Sequence, residues 1–291
     1  MRSIPQLKWC AGFTLPAALA IAALAAEPVP DKSQYHLFNP TPPQWLREMS
    51  TDRPDKTESP NTVDAGHFQV EMDFVNYSYD KHNPARDGTR VRTWNIAPIN
   101  FKVGLLNNLD VQLVLQPHTY VHTSDPGAGV SKQRGFGDIV TRVKWNLWGN
   151  DGGETALALM PYFKLPTNQD QLGNRSAEGG IILPLAVKLP AGWDMGLMTQ
   201  LDVVRDTTTS GYHQEFVNTV TFSHDIVGDL GGYAEFFSSV STERGSSWTG
   251  TVDLGLTYAL TKNIQLDAGV NLGVTRAADD WNPFVGLSFR F

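Results

Sequence analysis

The regular alternation of apolar and polar residues near the carboxyl end places the strongest constraint on how this chain can fold. One parity of that stretch is apolar and consists of Ile264, Leu266, Ala268, Val270, Leu272 and Val274. The other parity is mostly polar, as at Gln265, Asp267 and Asn271. A period of two places successive side chains on opposite faces of a β-strand, so the stretch predicts a strand with one apolar and one polar face. The chain then returns with the same period and reaches Phe289 and Phe291 on the apolar parity.

The same period recurs about twelve times between residues 67 and 291. Segments of roughly 9–11 residues are long enough for a tilted strand to cross a bilayer. Connections after odd-numbered segments are long and polar, as at residues 123–135 and 166–179, whereas those after even-numbered segments are short. Bacterial outer-membrane barrels have this asymmetry, with short periplasmic turns and longer outer loops. The pattern predicts an all-β fold, a transmembrane antiparallel up-and-down β-barrel of about 12 strands. Phe289 and Phe291 would then end its closing strand and form the signal for assembly.

The first 25 residues predict a secretory signal peptide. Arg2 and Lys8 supply a basic region, residues 11–26 are apolar, and Ala23 and Ala25 are the small residues that a signal peptidase requires. A buried amino-terminal helix is the alternative. The only cysteine, Cys10, lies within this segment, so the mature chain is expected to contain no disulfide.

Charge and composition argue against two classes of protein, those that bind nucleic acids and those that cross the membrane with helices. Removal of Arg2 and Lys8 with the signal lowers the formal net charge from −7 to −9, which disfavours nucleic-acid binding. The mature chain also has no apolar run as long as a membrane helix. Residues 26–66 are rich in proline and polar residues and have no sustained period, so we predict an irregular periplasmic segment before the barrel of residues 67–291.

Prolines and aromatic residues refine the barrel prediction. Four prolines fall within predicted strands, where each removes a backbone donor, so bulges or strand ends are expected at Pro98, Pro117, Pro161 and Pro184. Aromatic residues fall at both predicted rims, as the two girdles of a membrane barrel require. They are Trp193, Tyr258 and Phe291 at the inner rim, and Tyr77, Tyr79, Trp248 and Trp281 at the outer rim.

The polar parity predicts the residues that line the lumen. The candidates are Glu71, Asp73, Gln112, Gln116, His118, Asp138, Arg142, Lys144, Lys164, Asp194, Asp202, Glu215, Glu235, Asp253, Asp267 and Arg290. Two interpretations stay open, a polar path for a solute and a salt-bridge network that fills the interior. Acidic residues outnumber basic ones, so an aqueous path would favour cations or neutral solutes.

An outer-membrane enzyme that acts on lipids is the main alternative class. Such an enzyme needs a nucleophile with a base in reach, usually serine with histidine. Ser223 and His224 are adjacent and so point to opposite faces, and no G-x-S-x-G motif occurs. His118 and His122 would lie roughly 13 Å apart along a strand at 3.3 Å per residue, too far to share one metal ion. We therefore predict no catalytic, cofactor or metal site, and a purely structural barrel is the third option.

Several short motifs resemble one known family. Residues 51–60 read TDRPDKTESP and are followed by Val63, Gly66, Phe68, Gln69 and Glu71. Further motifs are GFGD at 135–138, LPAGW at 189–193, QLDAG at 265–269 and FRF at 289–291. Together they resemble the phenol meta-pathway (MetA-pathway) family of outer-membrane transporters, across nearly the whole mature chain.

The resemblance implies a passive transporter in the outer membrane of a Gram-negative bacterium. It implies uptake of small, aromatic or other hydrophobic compounds into the periplasm, and it implies no enzyme. The expected partners are outer-membrane lipid, the barrel-assembly machinery and a small-molecule solute. The charge density of residues 51–60, just before the first strand, suggests a plug or brace at the periplasmic mouth, with Asp52, Arg53, Asp55 and Glu58 as its candidate residues. A solvated tether is the alternative.

Overall fold

The computed structural model describes residues 31–86 and 88–291. The predicted signal peptide, residues 1–25, lies outside the described residues. Within the described ranges, no helix combines the length and the apolar character that crossing a bilayer requires. Three short 3-10 turns occur, at Pro43–Trp45, Pro84–Arg86 and Pro190–Gly192.

Fifteen β-strands of the described chain form one antiparallel sheet. The first seven are β1 (Phe68–Asp80), β2 (Arg90–Ile96), β3 (Ile99–Leu106), β4 (Leu109–Leu115), β5 (His118–Asp125), β6 (Gly129–Gly135) and β7 (Ile139–Trp148). The other eight are β8 (Thr155–Leu165), β9 (Glu178–Lys188), β10 (Trp193–Arg205), β11 (Tyr212–Val227), β12 (Leu230–Ser241), β13 (Thr249–Thr261), β14 (Ile264–Gly273) and β15 (Trp281–Arg290).

Twelve of these strands close into a barrel. The hydrogen-bonded order is β1, β3, β4 and then β7 to β15, and β15 pairs with β1 from Gln69↔Arg290 to Tyr79↔Trp281. Each of these twelve strands is paired on both sides, which is the condition for placing a sheet in hydrocarbon, whereas β6, outside the ring, pairs only with β5. The prediction of a barrel of about 12 strands is confirmed. The last hairpin, β14 and β15, closes the ring as its alternation predicts.

Three consecutive spanning strands are interrupted at the same height. Strands β2, β5 and β6 continue β3, β4 and β7 beyond breaks at residues 97–98, 116–117 and 136–138. We call β2, β5 and β6, with the part of β1 that pairs with β2, the outer extension. Residues 129–135 form β6 and pair with β5 across a three-residue turn, so the prediction of a loop over residues 123–135 is wrong. The outward face of β6 is not apolar, and the alternation that marks the other strands is therefore absent there.

The four prolines fall at interruptions of the hydrogen-bond ladder. Pro98 and Pro117 lie in the breaks between strands. Pro161 lies inside β8, where the register with β7 passes from Arg142↔Tyr162 directly to Trp145↔Leu159. Pro184 lies inside β9, and the β8–β9 register skips the corresponding pairs. A missing amide donor is thus accommodated by local loss of pairing rather than at a sheet edge.

The barrel has an apolar outside and a polar inside. Large apolar side chains remain exposed on the outer face, among them Phe74, Trp145, Leu183, Phe216, Leu254 and Leu256. The buried side chains are mainly polar or charged, among them Gln69, Glu71, Asp110, Gln112, Lys144 and Asp253. This distribution is the reverse of that in a water-soluble protein and is typical of a barrel whose outer surface contacts lipid.

Candidate functional site

The lumen of the barrel contains the irregular segment of residues 51–64, which we call the lumenal segment. Its backbone amides donate to side chains of the wall rather than to a strand. The amide of Lys56 donates to Glu235 Oε2 at 2.9 Å, that of Thr62 to Asn150 Oδ1 at 3.0 Å, and that of Val63 to Asp110 Oδ2 at 3.1 Å. A buried backbone without regular structure requires such partners. The polar wall therefore fixes the path of this segment.

Asp52 attaches the lumenal segment to the wall through ion pairs with two lysines. Its Oδ1 lies 2.5 Å from Lys144 Nζ, and its Oδ2 contacts Lys102 Nζ. Lys102 and Lys144 are 2% and 0% exposed, and Lys102 also contacts Glu71. Buried ammonium groups are costly without counter-charges, so these lysines and Asp52 stabilise each other's charged state.

Arg53 is the second residue that attaches the segment to the wall. Its guanidinium Nη2 lies 2.5 Å from Asp267 Oδ1 and 2.6 Å from Asp73 Oδ1, and its Nε lies 3.2 Å from Asp267 Oδ2. Two nitrogens on one carboxylate give the bidentate geometry of strong arginine–carboxylate pairs. The guanidinium also lies over the ring of Phe284, 5.5 Å from its centroid. Arg53 thereby ties the segment to β1, β14 and β15.

Lys56, Thr57 and Glu58 reach other sides of the wall. Lys56 Nζ lies 3.0 Å from Asp253 Oδ2 and 4.3 Å from the centroid of Phe237. Thr57 Oγ1 lies 2.6 Å from Thr219 Oγ1. Glu58 Oε1 accepts a hydrogen bond from Arg142 Nη1 at 2.6 Å. Contacts from Asp52 to Glu58 therefore span the lumen from β1 to β14, deeper than the periplasmic mouth at which the sequence analysis places this segment.

The predicted lining residues fall into two groups. Those that contact the lumenal segment are Glu71, Asp73, Arg142, Lys144, Glu235, Asp253, Asp267 and Arg290. The others make contacts elsewhere. Gln112 donates to Asp110, Asp202 accepts from Tyr162 Oη, and Asp194 lines a periplasmic cavity. Glu215 pairs with His213, Asp138 pairs with Lys164, and the backbone carbonyl of Gln116 accepts from the amide of Gly137. Their role in lining a solute path stays a prediction.

The prediction that His118 faces the lumen is wrong. The break at residues 116–117 reverses the parity of the strand, so Thr119 becomes the buried residue and His118 is exposed on the outer face. His118 is the register partner of Ile96, which is also exposed. A register change of one residue exchanges the two faces of a strand, and here proline provides it.

The lumen also has an apolar side that the sequence analysis missed. Met160, Ile182, Met198 and Val217 are buried in one cluster, and Tyr162 and Phe237 pack against it. These residues lie on β8 to β12. They occupy inward-facing positions, which on other strands are polar. Lys102, which alternates with the apolar residues of β3, is a second lumenal residue that the sequence pattern does not single out. Reading every inward position, apolar ones included, would have found both.

Two cavities lie on opposite sides of the lumenal segment. The larger has about 500 Å³ and is lined by Pro54 and Thr57 of the segment and by residues of the periplasmic turns, such as Asn150 and Asp225. The smaller has about 310 Å³ and is lined by Lys56 and Phe237, and by Ala278 of an outer loop. The segment therefore separates a periplasmic compartment of the lumen from an extracellular one.

The periplasmic end of the segment is held by a second charged network. Asp64 pairs with Arg47 at 3.3 Å and with Arg290 at 3.2 Å, and Asp151 pairs with Lys32 at 2.7 Å. Asp151 lies in a periplasmic turn, where partial burial opposes ionisation. Hydrogen bonds from Lys32 and Asn107 outweigh that burial and lower the pKa of Asp151.

One cluster at the extracellular end has residue types that bind metals. One ligand atom each from Asp206, His213 and Glu243 lies within 4.8 Å of the others. His213 Nδ1 is 3.0 Å from Asp206 Oδ1, and Glu243 accepts hydrogen bonds from Thr207 and Thr208. These contacts hold two outer loops together.

The closed twelve-stranded barrel, its apolar outer face and its polar lumen define a transmembrane β-barrel of the Gram-negative outer membrane. The family model described as "Putative MetA-pathway of phenol degradation" matches residues 51–291, and the chain belongs to that family. The resemblance found in the sequence is thereby confirmed.

Several solved structures are similar to this chain at low sequence identity. The COG4313 outer membrane channel from Pseudomonas putida F1 is 11% identical, with a TM-score of 0.59 over 83% of this chain and 100% of that one. The NanC porin is 10% identical, with a TM-score of 0.49 over 76% and 98% of the two chains. A mutant of the TodX monoaromatic hydrocarbon channel is 10% identical, with a TM-score of 0.43 over 77% and 90%. No curated protein matches the chain.

Proposed function

We propose that this protein is a passive outer-membrane channel that admits small aromatic or other hydrophobic compounds into the periplasm. The observation that carries the proposal is the pair of cavities inside the closed barrel, one on each side of the lumenal segment. Cavities of about 300–1,000 Å³ are of the size that small organic ligands occupy. Movement of this single segment would join them into one path across the membrane.

The two sides of the lumen favour an amphipathic solute. One side carries the charged residues that hold Asp52 and Arg53, and the other carries the apolar cluster around Met198 and Ile182. A compound with an aromatic ring and a hydroxyl group could contact both sides at once. The family description, which refers to phenol degradation, agrees with that chemistry.

The lumenal segment is proposed as the plug of the channel. It is attached to the wall by side-chain contacts of Asp52, Arg53, Lys56 and Glu58, without strand pairing. Such an attachment can be released without breaking any backbone ladder of the barrel. We also propose Asp55 as a residue of this plug.

We infer transport rather than catalysis. The ring nitrogens of His224 contact the carbonyl oxygens of Asp225 and Ala191, so they are engaged away from the adjacent Ser223. Recognition of Phe289 and Phe291 by the assembly machinery is a further proposal, supported by the outward position of Phe291, which is 61% exposed.

The test is single-channel conductance of the refolded mature protein in a planar bilayer. Deletion of residues 27–57 should raise the conductance, and phenol or toluene should block the open events more strongly than glucose at equal concentration. Heat-modifiable gel mobility would show that the deleted form is folded. Unchanged conductance in a folded deletion variant would make the segment a linker, and equal block by all three solutes would contradict the proposed solute class.

A further inference from the structure

The outer extension presents a row of basic residues on its outward face. The register pairs Tyr79 with Arg92, Arg92 with His122, and His122 with Lys132. Directly opposed residues of antiparallel strands project from the same face, so these side chains form one row across four strands. Arg90, two residues before Arg92, and Arg134, two residues after Lys132, lie on the same parity and add to this face, which we call the basic face.

An aromatic row lies beside the basic face on the same side of the sheet. Tyr77 pairs with Trp94, Trp94 with Tyr120, and Tyr120 with Arg134. The ring centroids of Tyr77 and Trp94 are 5.0 Å apart, and those of Trp94 and Tyr120 are 5.4 Å apart. Trp281 extends the row, 5.3 Å from Tyr77. This continuous surface of rings is part of the outer aromatic girdle.

The opposite parity of the extension faces inward. Thr119 is buried and donates to Asn95 Oδ1 at 2.8 Å. Asn95 is the register partner of Asn76, which accepts a hydrogen bond from Asn282 inside the barrel. The alternation of strand side chains then places Trp94, Arg92 and their row partners on the outside.

The height of the basic face corresponds to the lipid headgroups. Tyrosine and tryptophan belts of membrane proteins lie at the membrane–water interface. Arg92 and Lys132 lie two residues farther toward the outer loops than Trp94 and Arg134, and Arg90 lies farther still. Below the aromatic row the exposed side chains become apolar, as at Ile96 and Phe74. A lipid at this position would contact the apolar residues with its acyl chains, the aromatic rings at the interface, and the cations with its headgroup.

The cations of the basic face have no acidic partner among the described residues. Arg90, Arg92, Lys132 and Arg134 make no ion pair there, and Arg92 instead lies over the ring of Tyr79 at 5.9 Å. Among the described residues, the nearby acidic side chains make other contacts, none of them with the side chains of these four cations. Asp80 is buried and pairs with Arg86, Asp125 accepts from Thr89 and its own turn, Asp170 Oδ2 accepts the amide of Arg134, and Asp280 pairs with His82.

We propose that the basic face binds the phosphate-bearing headgroup of an anionic lipid in the outer leaflet. The guanidinium groups of Arg90, Arg92 and Arg134 can bind phosphate in bidentate geometry, and the ammonium of Lys132 adds a fourth cation. The acyl chains would lie along the apolar wall below the aromatic row. This site is on the outside of the barrel and is independent of the proposed solute path.

Native mass spectrometry of the folded mature protein, titrated with diphosphorylated lipid A, tests the proposal. The variant Arg92→Gln/Lys132→Gln/Arg134→Gln should bind on the order of 100-fold more weakly, since each basic residue near an anionic lipid contributes about fivefold. The matched control Arg175→Gln/Arg244→Gln/Arg276→Gln removes three cations from other outer loops and should bind as the wild type does.

Two further measurements keep the test decisive. The charge-conserving variant Arg92→Lys/Arg134→Lys should bind more tightly than the triple variant, because it keeps the charges, but more weakly than wild type, because lysine lacks the bidentate geometry. Dephosphorylated lipid A should bind wild type only as weakly as lipid A binds the triple variant. Equal affinity of the triple variant and its control would overturn the proposal. Tight binding of dephosphorylated lipid A would also overturn it. The same holds if inorganic phosphate binds as tightly as the lipid does.

Discussion

Asp52→Asn is the substitution that most selectively releases the lumenal segment. The change keeps the size of the side chain but removes the charge that faces Lys102 and Lys144. Both lysines are buried, and only Lys102 has a second carboxylate in contact, that of Glu71. Removing one partner of a buried ion pair costs about 3–5 kcal/mol, because the other charge is left uncompensated.

That cost falls on docking of the segment, since the substitution breaks no ladder hydrogen bond of the barrel. A loss of about 3–5 kcal/mol raises the undocked population by roughly 10²- to 4 × 10³-fold, up to the point where the segment is fully released. The assay is modification of a cysteine placed at the buried Thr57 by a charged maleimide. The mature chain is predicted to lack other cysteines, so the rate reports this position alone.

Glu48→Gln is the matched control for this experiment. Glu48 precedes the lumenal segment, is exposed and makes no ion pair within the described residues, and its loss also removes one negative charge. The control should label at the wild-type rate. If Asp52→Asn labels no faster than Glu48→Gln in a folded barrel, the Asp52–lysine contacts do not hold the segment and the reasoning is refuted.

Three further predictions concern other parts of the lumen. Gly104→Ala would place a Cβ 2.1 Å from the carbonyl oxygen of Asp64, so we expect about 1–3 kcal/mol of destabilisation, measured as a lower transition temperature in heat-modifiable gels. The lowered pKa of Asp151 gives stability that is present above the usual carboxyl value of 3.8 and is lost as pH falls through the folded-state pKa. The anisotropy of a dye on Ser33→Cys should therefore fall only below that pH, and Asp151→Asn should remove the transition. Met198→Glu should abolish block by phenol while an ionic current persists, whereas Met198→Leu, which conserves volume, should retain the block.

The sequence predicts the barrel well because lipid imposes a strict local pattern. Each strand that contacts hydrocarbon must alternate, as β14 does from Ile264 to Leu272, and the alternation is visible without any knowledge of partners. Strand β6 does not follow this rule, since its outward residues include Lys132 and Arg134. The sequence pattern therefore indicates a loop at this position, although the residues form a strand.

The lumen is harder to predict because its contacts join distant parts of the chain. Arg53 and Asp267 are separated by 214 positions, and no local pattern indicates that they meet. The charge density of residues 51–60 indicates that the segment needs partners but not how deep it lies. Met198 is hard to predict for a different reason: part of the lumenal wall is apolar, so polarity alone does not identify every inward-facing residue.

A reversible cross-link between the segment and the wall tests most directly whether the lumenal segment closes the channel. The hydroxyl oxygens of Thr57 and Thr219 are 2.6 Å apart, so the pair Thr57→Cys/Thr219→Cys is suited to a disulfide between the segment and β11. Ser50→Cys/Ser59→Cys is the control, because those oxygens are 2.7 Å apart within the amino-terminal region and do not join it to the barrel. Conductance of the first variant should be low when oxidised and rise on reduction, while the control should be unaffected by its redox state. Equal conductance of the first variant in both states would contradict the account.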